Sequence, residues 1–131
     1  MNASTPQIGQ YCTIASDVEF GSGVIIHGFA NLYGCRIGDN CRIGTFVEIQ
    51  KDAVLGKRIR VQSHSFICSD VIIEDDVFIG SDCQLIAPIK IGKGSSIGAG
   101  STIAKDVPEG QLTINRPNKK VVKPKFINIP K

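Results

Sequence analysis

Val71-Ile72-Ile73-Glu74-Asp75-Asp76-Val77-Phe78-Ile79-Gly80-Ser81-Asp82-Cys83-Gln84-Leu85 repeats one pattern every six residues. Each unit has a small or β-branched residue, a variable one, a long aliphatic and then a polar corner. Extended in both directions, the aliphatic position holds Ile37, Ile43, Ile49, Leu55, Val61, Ile67, Ile73, Ile79, Leu85, Ile91, Ile97 and Ile103, with none missed. An earlier series, Ile8, Ile14, Phe20, Ile26 and Leu32, keeps the same step but stands one residue out of phase. A period of six fits neither a helix face at 3.6 nor strand alternation at 2. It marks a hexapeptide solenoid, a parallel β-helix in which each hexad is a short strand plus a turn.

The rest of the hexad agrees. Two residues before each aliphatic stand Cys35, Cys41, Val47, Ala53, Ile59, Ser65, Val71, Val77, Cys83, Ile89, Ser95 and Ser101. Strand residues two apart share a face, so these also point inward. Such hexads resemble those of the hexapeptide-repeat acyltransferases. That resemblance implies a left-handed β-helix with three hexads per triangular coil, although parallel crossovers are right-handed as a rule. Seventeen hexads then make nearly six coils. The five-residue step from Leu32 to Ile37 places one tightened turn near Tyr33-Gly34.

Length and composition narrow the function. At 131 residues the chain is one domain with its own core. The start, Met1 to Gln10, is polar and contains Pro6, so it reads as no signal peptide, and no apolar run reaches transmembrane length. Of five cysteines, Cys12, Cys35, Cys41 and Cys83 take the small inward slot. They read as free thiols in a reducing, cytoplasmic compartment. No CxxC or Cys/His cluster suggests a metal, and short polar residues at Asp52, Asp70 and Asp106 suit turns.

Charge divides the chain into residues 1–107, the β-helix, and 108–131, a basic tail with four prolines and no hexad. The net charge is +3, yet the body has nine basic against eleven acidic residues. The tail sets Arg116, Lys119, Lys120, Lys123, Lys125 and Lys131 against Glu109. It reads either as a solvated extension guarding the last coil's edge or as an arm reaching a phosphorylated ligand or neighbouring subunit. Nucleic-acid binding is not expected, because the tail's one aromatic is Phe126.

With three hexads per coil, residues 18 apart form columns. Asp39, Lys57, Asp75 and Lys93 alternate in sign and read as scaffold. Phe46, His64, Asp82 and Gly100 form another column, in which a turn imidazole lies one coil below a carboxylate. That pairing suits a general base whose cation a neighbour stabilises; the structural alternative is an exposed turn histidine with an incidental acidic neighbour. His27, after an inward position, reads as structural. Two histidines in unrelated columns argue against the carbonic anhydrase branch of the fold, which uses three. Ser63 and Ser81 lack a nucleophile-activating triad.

Two further resemblances bear on chemistry. His27-Gly28-Phe29-Ala30-Asn31-Leu32-Tyr33-Gly34-Cys35, Gly44-Thr45-Phe46-Val47-Glu48-Ile49-Gln50 and Ser63-His64-Ser65-Phe66-Ile67-Cys68, within residues 24–80, resemble bacterial N-acetyltransferases acting on nucleotide-linked amino sugars. The long excursion usual after the counterpart of Val77-Phe78-Ile79-Gly80 is absent. Phe78-Ile79-Gly80-Ser81-Asp82-Cys83-Gln84-Leu85-Ile86-Ala87-Pro88, Ile97-Gly98-Ala99-Gly100-Ser101-Thr102 and Lys105-Asp106-Val107, within residues 77–116, resemble the acetyltransferase end of the bifunctional glucosamine-1-phosphate acetyltransferase/uridyltransferase. Its Asn-Tyr-Asp-Gly acceptor loop has no counterpart. The second resemblance implies that Ser81, Ala99 and Arg116 contact acetyl-CoA, Arg116 at the phosphate end.

Together these readings describe a cytoplasmic, homotrimeric, CoA-dependent N-acyltransferase without a metal. Acetyl-CoA is the co-substrate, an amino sugar or similar amine the acceptor, and His64 the base, assisted by Asp82. Backbone N–H groups near Gly98–Gly100 are expected to face the thioester oxygen. Outward Phe29, Phe46 and Phe66 suit burial between subunits. The alternative is a non-catalytic trimeric scaffold or small-ligand binder that has lost its acceptor loop.

Overall fold

The computed structural model describes residues 5–117. Among these residues there are eighteen two-residue strands and no helix. Three parallel sheets take every third strand up to Thr102–Ile103, after which Leu112–Thr113 joins the first: seven from Gln7–Ile8 to Leu112–Thr113, six from Thr13–Ile14 to Thr102–Ile103, and five from Glu19–Phe20 to Lys90–Ile91. We call them the first, second and third faces. Three hexads complete one turn, and the register Arg42↔Arg60↔Phe78 advances by eighteen residues per coil. The protein is a left-handed parallel β-helix.

Backbone hydrogen bonding explains the corners. Strand N–H groups donate to the following coil, as Ile25 N–H does to Cys41 O at 3.0 Å and Arg60 N–H to Val77 O at 3.0 Å. One residue in most corners donates the other way, as His64 N–H does to Thr45 O at 3.1 Å and Asp82 N–H to Ser63 O at 2.9 Å. Turning that peptide over requires the left-handed conformation. Among the described residues ten non-glycine residues adopt it, including Phe29, Phe46, His64 and Asp82, with φ between 56° and 62° at these four. Such a conformation costs roughly 1–2 kcal/mol for an ordinary L-residue. Asp and Asn bear it best, so aromatic rings at these corners stand out.

The core follows the hexad. All twelve main-series aliphatics are at most 3% exposed, and the twelve small-slot residues at most 4%. Ile26 and Leu32 are buried, Ile14 and Phe20 half-buried, and Ile8 is 45% exposed on the first coil. The small slot also serves the backbone. Cys41 Sγ donates to Gly56 O at 3.1 Å, Ser65 Oγ to Gly80 O at 3.1 Å and Cys83 Sγ to Gly98 O at 3.3 Å. Each reaches fifteen residues ahead, to a carbonyl that bends away from its ladder. A small residue with a polar hydrogen fits there because a buried carbonyl needs a donor.

Three local readings change or sharpen. The five-residue step is present: Glu19 pairs with Arg36, seventeen residues on. A second short step follows Ile103. Val107 takes the inward place four residues after Ile103 and bridges to Ile91, so a six-residue count loses register there. The pairing therefore continues past 107, where the sequence suggested that it stops: Leu112–Thr113 pairs with Ser96–Ile97, and Thr102 N–H donates to Asn115 O at 3.0 Å. The basic positions Lys119, Lys120, Lys123, Lys125 and Lys131 lie outside the described residues.

The Asp39–Lys57–Asp75–Lys93 column is not a ladder of side-chain pairs. Only Lys57–Asp39, at 3.9 Å, is an ion pair. Asp75 Oδ1 instead accepts from Lys57 N–H at 2.8 Å, because the short carboxylate folds back onto the turn beside it. The strongest pair stands one column over, where Arg58 holds Asp76 through Nε at 2.6 Å and Nη2 at 3.1 Å.

Truncating Ile73 to Ala should cost about 2–5 kcal/mol in urea unfolding. Ser65→Ala should cost about 1–3 kcal/mol, because it strands the Gly80 carbonyl and the Cys83 N–H that donates to Ser65 Oγ at 3.2 Å. Ser65→Cys should cost less.

Burial pushes the Cys35 and Cys41 thiols from 9.0 up to about 11. The unfolded chain then loses these protons before the folded chain does. Stability should be full below the unfolded value and fall as pH rises from about 9 toward about 11. Urea midpoints across that range will show the fall, and Cys41→Ser should make it shallower, leaving the Cys35 contribution, while keeping a donor for the Gly56 carbonyl.

Candidate active site

The corner joining the first face to the second runs the height of the prism. Its left-handed positions are Tyr11, Phe29, Phe46, His64, Asp82 and Gly100. The rings of Tyr11, Phe29, Phe46 and His64 stack in sequence, with centroids 5.2, 5.1 and 5.0 Å apart. Phe29 and Phe46 are 48% and 51% exposed. Stacking of this kind is typically worth about 0.5–1.5 kcal/mol per pair, which offsets part of the backbone strain. His64 is thus the polar end of an aromatic column.

All five site residues read from the sequence lie on this corner. Ser81 precedes Asp82, and Ala99 occupies the equivalent position one coil above Ser81. Gly80 passes so close beneath that a Cβ there would stand 2.6 Å from Ala99 N. Arg116 folds over the top of the corner: its Nε donates to Ala99 O at 2.7 Å. That bond uses one of the five guanidinium N–H groups and lays the cation along Gly98–Gly100. Cys83, on the same corner, has its thiol pushed up, chiefly by burial. It is an interior group rather than a nucleophile.

The arrangement differs from the expected dyad in one respect. His64 and Asp82 are corner neighbours in successive coils, but no hydrogen bond or ion pair joins their side chains. The imidazole is ordered by Phe46 from below, at an interplanar angle of 30°. The proposed donors near Gly98–Gly100 also need correction. Gly98 N–H is given to Thr113 O and Gly100 N–H to Ser81 O, each at 2.9 Å. Ala99 N–H is the one of the three without a backbone acceptor. Glu48 accepts from Gln50 Nε2 at 3.0 Å. His27 is exposed beside Arg42 and Gln62 at a separate recess.

Sequence columns found Phe46–His64 but not the two rings below. Spacings of eighteen, seventeen and eighteen residues separate Tyr11, Phe29, Phe46 and His64. The short corner at Gly34 removes one residue and hides the alignment. Among the described residues no three His, Cys, Asp or Glu side chains converge to hold a metal, and no helix is long and apolar enough to cross a membrane.

The family model described as bacterial transferase hexapeptide (six repeats) matches residues 34–69 and 70–105, more than half of the chain. The chain belongs to that family. Among curated proteins it is 38% identical over 144 residues to the bifunctional protein GlmU of Nitrosomonas eutropha, a match covering 79% of this chain and 31% of that protein. The chain thus spans about a third of that relative's length. Among solved structures, the acetyltransferase domain of PglB from Neisseria gonorrhoeae, in complex with acetyl coenzyme A, superposes with a TM-score of 0.85 at 20% identity, covering 92% of this chain and 59% of that one. PerB from Caulobacter crescentus, in complex with CoA and GDP-perosamine, gives 0.82 at 24%, covering 86% and 55%. At these identities the structures show the shared fold of the hexapeptide family.

If Phe46 orders the His64 ring, the His64 ring protons should resonate upfield in NMR spectra. Phe46→Leu should abolish that ring-current shift and Phe46→Tyr should keep it, both in a folded chain.

Proposed function

We propose that this chain is a CoA-dependent N-acyltransferase that moves an acetyl group from acetyl-CoA to an amino sugar or similar amine. The observation that carries the reading is the convergence of His64, Asp82, Ser81, Ala99 and Arg116 on one corner, with the Arg116 guanidinium laid over Ala99. Similarity to GlmU and to the fold of an acetyl-CoA-bound acetyltransferase domain supports the same chemistry. The free donors of Arg116 suit a phosphate of CoA, held by charge-assisted hydrogen bonds. Ala99 N–H suits the thioester oxygen as charge develops there.

His64 accepts a proton from the attacking amine, the C–N bond forms, the C–S bond breaks, and the CoA sulfur leaves as a thiol after protonation. Asp82, one coil above, stabilises the imidazolium through its charge rather than through a hydrogen bond. Phe46, below, adds a face on which a cation rests favourably. Exposed rings along the corner suit burial against a neighbouring copy, so the working unit is a homotrimer, acting in the cytoplasm.

A second reading, a non-catalytic trimeric scaffold or small-ligand binder, is favoured by the lack of any hydrogen-bond partner for the His64 ring. Thiol release from acetyl-CoA over a panel of amino sugars decides between the two. His64→Asn suits the test because Asn tolerates the left-handed corner. It should lower turnover by roughly 10^2–10^4 with CoA affinity nearly unchanged. Arg116→Ala should weaken CoA about tenfold or more and leave the fold intact. CoA binding with no turnover for any amine would favour the scaffold.

A further inference from the structure

The outward row of the first face reads Ile25, Arg42, Arg60 and Phe78 in direct register. Arg42 and Arg60 therefore stand side by side on neighbouring strands, where like charges repel. Both are exposed, and neither side chain makes a hydrogen bond or ion pair. The four ion pairs among the described residues engage Arg36, Lys57, Arg58 and Lys90 instead. The solenoid gains nothing from this pair.

Recesses open on both sides of the two guanidinium groups. One, of about 470 Å³, is lined by Arg42 and Arg60 with Asn40 and Phe78; the other, of about 210 Å³, by the same arginines with His27 and Gln62. Arg58 and Asp76 also border the larger recess, but they hold each other in a two-point pair. The Arg58 guanidinium keeps the Asp76 carboxyl below its ordinary range, so this carboxylate stays occupied and does not compensate Arg42 or Arg60.

We propose that Arg42 and Arg60 form a binding site for a diphosphate group. Strand spacing sets the two side-chain roots about 4.8 Å apart, so adjacent phosphoryl groups can each meet one guanidinium fork, the geometry in which arginine binds phosphate best. Ile25 and Phe78 leave apolar surface at either end for the rest of the ligand. Gln62 brings the smaller recess within two residues of His64. The site is separate from Arg116, which lies over the Gly98–Gly100 corner several strands further along the prism. Diphosphates occur both in CoA and in phosphorylated acceptors, and the site's chemistry is common to the two.

The test is calorimetry on the full chain at low salt, with no turnover required, so it stands apart from the acyl-transfer reading. Inorganic pyrophosphate should bind about tenfold or more tightly than orthophosphate. Arg42→Gln and Arg60→Gln should each weaken it by about tenfold or more with unchanged thermal melting. Thymidine diphosphate lost in Arg42→Gln, with CoA binding kept, assigns the site to the acceptor; CoA lost in the same variant assigns it to CoA, and both outcomes support the diphosphate site. Pyrophosphate binding that is undetectable at millimolar concentration, or indifferent to both substitutions, overturns it. So does a change of oligomeric state in Arg42→Glu without any pyrophosphate binding, which would make the pair a contact between copies.

Discussion

Coil-to-coil hydrogen bonding of the backbone is the constraint on which everything else rests. Each strand N–H must find a carbonyl in an adjacent coil, as Gln7 finds Val24 and Arg36 finds Ala53, each seventeen residues on at 2.9 Å. A buried amide left without a partner is costly, so a residue gained or lost must be absorbed at a corner. The chain does this twice, at Gly34 and at Lys105, and in both places the next inward aliphatic is restored within one step. The small-slot thiols and hydroxyls belong to the same economy, because they serve corner carbonyls that the ladder cannot reach.

That constraint also makes the corners useful. Returning one N–H to the coil below forces a left-handed residue, and its side chain then projects outward at the same height in every coil. Side chains there are released from core packing and align in a column. On one corner the column is aromatic up to His64, acidic at Asp82 and open at Gly100, where Arg116 closes over it. Chemistry is thus carried on positions that the solenoid orders tightly but does not use for burial.

Electrostatics on the faces follows from the same spacing. Side chains eighteen residues apart are neighbours, so charges either pair, as Arg58 does with Asp76, or confront each other, as Arg42 does with Arg60. Exposed pairs add little stability, and an unpaired confrontation subtracts from it. The two arginines therefore differ in kind from the paired cations around them.

The hexad period alone determined a parallel solenoid, its inward aliphatics, the small second slot and the first short corner, because a six-residue strand-and-turn unit allows one burial pattern; three hexads per triangular coil followed from the resemblance to the hexapeptide-repeat acyltransferases. It also put His64 and Asp82 in one column, since equal spacing maps directly onto height. Tertiary structure decided the rest. The four-residue step to Val107 kept Leu112–Thr113 in the sheet, a change invisible to a fixed count. The Gly34 deletion hid the continuity of Tyr11 and Phe29 with Phe46 and His64. The imidazole turned out to rest on a ring rather than on a carboxylate, and Arg116 to be oriented by the Ala99 carbonyl. Column arithmetic gives the height of a residue, but side-chain reach and backbone direction at the corner decide what it touches.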